Sequence, residues 1–249
     1  MRRSLKEIEL FSFAAVLFDL DGVLTATARV HSACWKRMFD EFLREHSERT
    51  GAPFVPFDRG ADYLRYVDGK PRLEGVRSFL ASRRIELPIG APDDSPTSFT
   101  LYGLGNRKNA LFRELLAQEG ADVFEASVTL AQRLRQAGRK LAVVSSSRNC
   151  LAILETAGIR ELFDYILDGN EAQRLGLAGK PAPDTFLAAA AMLGAAPRDA
   201  VVVEDALAGV EAGRAGDFGL VIGVARHGDA QALLDHGADV AVDDLAEFL

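Results

Sequence analysis

The chain has 249 residues, room for one large domain or two modest ones, and at 48% hydrophobic and 26% charged it has the material for a sizeable globular core. A formal net charge of -7 excludes a general nucleic-acid-binding surface while leaving room for a small basic pocket around a phosphorylated ligand. The two cysteines, Cys34 and Cys150, lack metal-ligand spacing and read as reduced thiols of a cytoplasmic protein; Met1 to Phe13 is too broken by charge for a signal peptide, and no later run could span a bilayer.

Ala14 to Phe18 is a short apolar run of β-forming residues and predicts a buried strand. Asp19 and Asp21 follow at once, and Gly22 supplies a tight turn. Open parallel sheets bind ligands at the carboxyl ends of their strands, so this pair suits a carboxylate nucleophile beside a second carboxylate sharing a metal ion. It equally suits an Asp-Gly turn closing a strand. From Thr27 to about His46, Val30, Cys34, Trp35, Met38, Phe39, Phe42 and Leu43 recur at helical steps and form one apolar face. Thr27 can cap this helix or bond a ligand; His31, one turn on, is either a packed or solvated helix residue or a site residue near the Asp pair. Thr50 to Phe57, with Gly51, Pro53 and Pro56, is a break. Two short amphipathic pieces follow, Ala61 to Val67 and Leu73 to Arg84, separated by a turn carrying Gly69, Lys70 and Arg72. Ile85 to Thr100 holds three prolines and cannot be one helix; Leu101 to Lys108 is interrupted by Gly103 and Gly105, and a helical pattern resumes over Asn109 to Gln118.

From Val123 helices and apolar strands alternate. The pattern predicts strands at Lys140 to Val144, Tyr165 to Leu167, Ala200 to Val203, Leu220 to Val224 and Val240 to Val242. Helices are expected at Val128 to Ala137, Leu151 to Ala157, Asp184 to Leu193, Ala206 to Ala215 and Ala230 to His236. This alternation specifies an α/β fold, a Rossmann-like doubly wound parallel sheet, with a helical domain inserted after the first strand. The expected division is residues 1–32 and 121–249 for the sheet domain and 33–120 for the helical one. Arg226 and His227, just past a strand end, can face the cleft or lie in a surface loop, and the loop is the plainer reading.

Three strands end in polar groups: Asp19 and Asp21; then Ser145, opening the run Ser145-Ser146-Ser147-Arg148-Asn149; then Glu204 and Asp205. In one parallel sheet these ends share an edge. Two like charges about 4 Å apart repel by ~4 kcal/mol at an effective dielectric of ~20, so four carboxylates there require a cation or protons. Oxygen ligands without His or Cys favour Mg²⁺. Lys180, in the loop Gly179 to Asp184, would add charge for a phosphoryl group, and Ser145 with neighbouring backbone N–H groups would hold phosphate oxygens. Taken singly, each feature also has a plain reading as a polar loop, a turn lysine or helix-initiating acids.

Asp19-Leu20-Asp21-Gly22-Val23-Leu24-Thr25, Ser145, Lys180 and Glu204-Asp205 resemble, in order, the four motifs of the haloacid dehalogenase-like phosphotransferase superfamily. The helical insertion is similar to its α-helical cap. Thr27, His31, Trp35, Ser145 to Asn149, Lys180 to Asp184 and Val203 to Gly209 are similar to the β-phosphoglucomutase-like subfamily, with Gly69 and Arg72 at its hinge glycine and phosphate-binding arginine. Arg148 and Asp68 stand where that subfamily has lysine; Lys70 is the candidate to replace the second. The resemblance implies an Mg²⁺ enzyme acting on a small phosphorylated sugar. Asp19 would be the nucleophile and Asp21 the general acid and base. Asp19, Asp205, Glu204 and the Asp21 backbone carbonyl would serve the metal. Thr27 and His31 would position Asp21, and Arg72 would take the distal phosphate of a sugar bisphosphate. A sugar-phosphate or phosphoglycolate phosphatase of the same superfamily is the alternative, and a binding module without catalysis is a further one. No nucleic-acid or membrane partner is expected; a monomer is plausible, although the sequence carries no mark of oligomeric state.

Overall fold

A computed structural model describes residues 8–226 and 230–249. His227 and the start of the Met1 to Phe13 segment lie outside the described residues.

The chain divides into two compact units, one formed by Met1–Ala26 with Ala121–Leu249 and the other by Thr27–Gly120. The first division falls between Ala26 and Thr27 rather than after residue 32. The Thr27 carbonyl accepts the His31 N–H at 2.9 Å, which makes Thr27 part of the first turn of the helix that follows.

The first unit is built on Ala15–Phe18 (β1), Lys140–Val144 (β2), Tyr165–Leu167 (β3), Ala200–Glu204 (β4), Leu220–Val224 (β5) and Val240–Val242 (β6). All pair in parallel in the order β3-β2-β1-β4-β5-β6. Every residue of β1, β4 and β5 is buried, the mark of a parallel sheet covered on both faces. Leu17, Ala142, Val202 and Val221 join Phe186, Ala189 and Ala190 of Asp184–Met192 (label α7 below) and Val210 and Ala212 of Leu207–Ala215 (α8) in one apolar cluster. Alternate residues Val16, Phe18, Leu141, Val143, Val201 and Val203 point the other way, as strand geometry requires, and are equally buried. The sheet is therefore doubly wound.

The second unit comprises Ala28–Thr50 (α1), a single wide turn at Tyr63–Val67, Arg72–Ser82 (α2) and Leu101–Glu119 (α3). Its core is aromatic: Phe39 lies 5.3 Å from Trp35, 5.2 Å from Phe57 and 4.1 Å from Phe79, ring centre to ring centre. Burying a side chain such as Phe39 contributes roughly 1.5–3 kcal/mol. α3 begins two turns earlier than the glycines suggest. Thr100 Oγ1 caps it by accepting the Gly103 N–H at 2.9 Å. Asp94 in turn accepts the Thr100 hydroxyl at 2.5 Å, while Asn106 Nδ2 donates to Pro92 O and Asp94 O at 3.0 and 2.9 Å. The proline-rich loop thus folds back on the helix it precedes and offsets the weak propensity of Gly103 and Gly105.

The remaining helices of the sheet unit are Glu125–Gln136 (α4), Cys150–Thr156 (α5), Gly169–Arg174 (α6) and Ala230–Asp235 (α9). α6 has no apolar periodicity to announce it. It starts because Asp168 accepts the N–H groups of Asn170 and Glu171 at 2.9 and 2.8 Å. No helix among the described residues is long and apolar enough to cross a membrane.

Candidate active site

β1 lies between β2 and β4, where the strand order reverses, and the ends of these three strands carry the polar groups. Such a reversal point opens a crevice at the carboxyl edge. Asp19 extends β1 by one residue, its N–H donating to Val203 O at 2.9 Å, and its side chain is almost wholly buried. Glu204 ends β4 and is fully buried.

Lys180 joins them. Its ammonium donates to Asp19 Oδ1 at 2.5 Å, to Glu204 Oε1 at 2.7 Å and to Val144 O, at the end of β2, at 3.0 Å. These three bonds use all three donors of a lysine. The loop before α7 delivers this side chain to a site it reaches with only 3% exposure. Burial works against the charged form of Lys180, but Asp19 and Glu204 outweigh it and hold the pKa above the ordinary lysine value. Asp19 moves upward too. Burial is the largest cause; Lys180 opposes it, and the Glu204 and Asp21 carboxylates add to it, leaving Asp19 pushed up to about 8. Both directions have one origin: a single cation among several carboxylates in a poorly solvated crevice.

Asp19, Glu204 and Asp205 each offer a carboxylate oxygen, and these oxygens all lie within 4.8 Å of one another. Asp21's carboxylate is not one of the three; the contribution expected from Asp21 is its backbone carbonyl. Three hard oxygen donors with one ammonium between them leave net negative charge, which a divalent cation suits. Two glycines shape the group. Gly22 has φ +88, and a Cβ there would stand 1.8 Å from Asp205 Oδ2, so only glycine lets this carboxylate lie against the loop. Gly209 of α8 makes the same allowance for Glu204.

The run after β2 forms a compact turn. The Ser147 N–H donates to Ser145 Oγ at 3.1 Å and the Asn149 N–H to Ser147 Oγ at 3.2 Å; Ser145 and Asn149 are buried. Arg148 turns toward α6, where its guanidinium donates to the Gln173 side-chain carbonyl. Ser146 presents its backbone carbonyl to Gly169.

In the helical unit, Thr27 is buried at the start of α1, Gly69 holds a left-handed turn at φ +67, and Arg72 is the first residue of α2. Its Nε lies 3.5 Å from where a Cβ on Gly105 would stand. His31 stacks on Phe112 with ring centres 4.1 Å apart. Lys108 Nζ lies 2.5 Å from His31 Nδ1 and 5.1 Å from the ring centres of both Trp35 and Phe112. Lys70, the candidate for the lysine expected at position 68, donates to Arg65 O and Ser78 Oγ at 3.2 and 3.4 Å. Lys108 escaped sequence reasoning. A lysine on a helix reads as a solvated charge, and only the 4% exposure of Lys108 marks it as different.

The family model for haloacid dehalogenase-like hydrolases matches residues 13–217. The chain is 54% identical to a beta-phosphoglucomutase of Mycobacterium bovis over 238 residues, 94% of this chain and 91% of that protein. It is 34% identical to a beta-phosphoglucomutase of Bacillus subtilis, again over 94% of this chain and 91% of that protein. The crystal structure of a beta-phosphoglucomutase from Clostridium difficile superposes with a TM-score of 0.75, covering 95% of this chain and 93% of that one at 23% identity, which bears on the fold. With the paired strand-end acids and buried lysine of the sheet unit, these likenesses settle the kinship: the chain belongs to the haloacid dehalogenase-like family of phosphoryl-transfer enzymes, in its β-phosphoglucomutase-like branch.

Proposed function

We propose that this protein is a β-phosphoglucomutase, interconverting β-glucose 1-phosphate and glucose 6-phosphate through an aspartyl phosphate and a sugar bisphosphate. The observation that carries this reading is the buried Lys180 ammonium held between Asp19 and Glu204 beside Asp205, in a chain of that kinship.

A nucleophilic carboxylate must be ionised, and in the metal-free protein Asp19 is pushed up to about 8. Mg²⁺ fits the oxygen donors present. Asp19, Asp205 and the Asp21 backbone carbonyl would hold it, with Glu204 bound directly or through water. When bound, it supplies positive charge that keeps Asp19 ionised and offsets charge on the transferring group. Lys180 would add its charge to offset phosphoryl oxygens, and its bonds to Glu204 and Val144 O keep it aimed. Asp19 attacks phosphorus and the bond to the sugar oxygen breaks, that oxygen taking a proton from Asp21. In the return half-reaction Asp21 removes the proton from the acceptor hydroxyl of the sugar, which takes the phosphoryl group back from Asp19. Ser145 and the Ser146 to Asn149 turn are assigned to phosphate oxygens, and Arg72 to the far phosphate of the bisphosphate.

The test is conversion of β-glucose 1-phosphate to glucose 6-phosphate with Mg²⁺ and a catalytic amount of glucose 1,6-bisphosphate. Turnover that requires the bisphosphate is expected. Rapid release of inorganic phosphate without isomerisation would replace the mutase reading by a phosphatase one, in which water takes the place of the sugar hydroxyl.

A further inference from the structure

Arg226 follows β5, where the sequence leaves it between the cleft and a surface loop. Its side chain is only 11% exposed, and its guanidinium is turned onto the loop that carries Asp19 and Asp21. Nε donates to the Gly22 carbonyl at 3.1 Å. Nη1 donates to Asp244 Oδ2 at 2.5 Å and to Asp243 O at 3.4 Å, and Nη2 donates to Ser127 Oγ at 3.4 Å. The guanidinium carbon lies 3.7 Å from the centre of the Phe124 ring. Stacking and planar hydrogen bonding thus fix this group in position and in orientation.

Gly22 is the point where that rigidity matters. Its N–H donates to Thr25 O at 2.8 Å, the Asp205 carboxylate lies against its Cα, and Arg226 takes its carbonyl. With φ +88 and no side chain, Gly22 is the most pliant residue of the loop, and the two acids just before it in sequence are those the reaction needs aligned. Without the guanidinium, the Gly22 carbonyl loses its side-chain donor and the loop gains freedom one residue from Asp21. We infer that Arg226 is a positioning residue for phosphoryl transfer: anchored by Asp244 and Phe124, it fixes the Gly22 carbonyl and thereby the placing of Asp21 relative to Asp19. This inference rests on the role given to Asp21 under the proposed function. Lysine cannot replace Arg226, because a point charge on a flexible stem does not stack on Phe124 while bonding the Gly22 carbonyl and Asp244 in one plane.

The experiment compares wild type with Arg226→Lys, Arg226→Ala and Asp244→Asn. Mutase kcat and KM are measured with Mg²⁺, and folding is followed by circular dichroism at the assay temperature. Arg226→Lys and Arg226→Ala are expected to lower kcat by about ten- to a hundredfold with KM unchanged, the order that a small misplacement of a reacting group causes. Added guanidinium ion, and not sodium chloride or urea, should restore part of the Arg226→Ala loss, which a general weakening of the fold would not permit. Wild-type kcat in either folded variant, or a loss that tracks unfolding and ignores guanidinium, overturns the inference. If Arg226→Ala does not fold, Asp244→Asn decides. Asparagine can still accept the Ala246 N–H that Asp244 Oδ1 takes at 2.7 Å, but it releases the charge that anchors Arg226. A severalfold fall in kcat at unchanged KM then supports the inference, and an unchanged kcat ends it. If wild type releases phosphate without isomerising the sugar, the mutase reading falls alone. The same comparison made on phosphate release then judges Arg226.

Discussion

Gly209 lies directly against the Glu204 carboxylate: a Cβ on Gly209 would stand 1.7 Å from Oε1 and 1.9 Å from Cδ. Both oxygens of Glu204 are already bonded, Oε1 to Lys180 at 2.7 Å and Oε2 to the Ala206 N–H at 2.8 Å. Helix propensity alone would favour alanine at this position in α8 by about 1 kcal/mol. The contact reverses that preference, because Gly209→Ala must displace a fully buried acid that holds the lysine. The variant is expected to melt below wild type and to lose at least about tenfold in kcat, a typical cost of misplacing a catalytic group. Thermal denaturation and steady-state kinetics check both. A G209A protein more stable than wild type and equally active would show that Glu204 needs no such clearance.

Lys180 has a structural duty separable from the phosphoryl-neutralising role proposed for it. Lys180→Met leaves Asp19 and Glu204 buried without their cation and Val144 O without its donor. Breaking a buried pair from one side costs about 3–5 kcal/mol. The metal-free variant should therefore unfold at markedly lower denaturant. Adding Asp19→Asn to it should recover part of the stability while both proteins stay inactive, since one of the orphaned charges is gone. Additive losses in the double variant, measured by chemical denaturation, would contradict direct coupling of the two groups.

Stability of the metal-free protein should fall as pH rises. The pKa of Asp19 is about 8 in the fold against an ordinary value of 3.8, so over that interval the native state binds a proton the unfolded chain has lost. The favourable contribution is whole below the ordinary value, declines with pH through the interval and is spent once pH passes the folded value. A divalent cation competes with that proton, so stabilisation by Mg²⁺ should be small near pH 5 and should grow toward about pH 8. Melting temperatures with chelator and with Mg²⁺ across this range test it. Asp19→Asn should flatten the chelator curve, and a wild-type curve no steeper than that of the variant would remove Asp19 as the source.

Arg72 should separate isomerisation from phosphate release. Its assigned partner, the phosphate that stays on the sugar while the other is transferred, is missing from a small phosphate donor. Arg72→Ala should thus depress mutase turnover by about ten- to a hundredfold, the worth of hydrogen bonds to a charged group. Phosphorylation of Asp19 by a small phosphate donor such as acetyl phosphate should change far less. Equal loss in both assays would assign Arg72 to the fold of α2 and not to the bisphosphate.

The strands were the most legible part of this chain. Lys140–Val144, Tyr165–Leu167, Leu220–Val224 and Val240–Val242 have the bounds the sequence predicts, because strands of a covered parallel sheet need nearly continuous apolar sequence between turn residues. The first two turns of α3 were not legible. Gly103 and Gly105 argue against a helix locally, and what overrides them is the Thr100 cap and a loop held by Asn106 and Asp94. Nor were the surroundings of Lys108, whose neighbours Arg107 and Asn109 are polar, or of Arg226, whose partners Gly22, Phe124, Ser127 and Asp244 lie far from it in sequence.

By itself the sequence determined which polar side chains follow the apolar strands, and in which order: Asp19 and Asp21, Ser145, the loop residue Lys180, then Glu204 and Asp205. Their meeting was decided by the tertiary structure. Lys180 lies 161 residues from Asp19 and 24 from Glu204, and no local propensity spans such intervals. Parallel register brings the ends of β1, β2 and β4 to one edge, and that edge excludes water well enough for one ammonium to be shared among a carbonyl and two carboxylates.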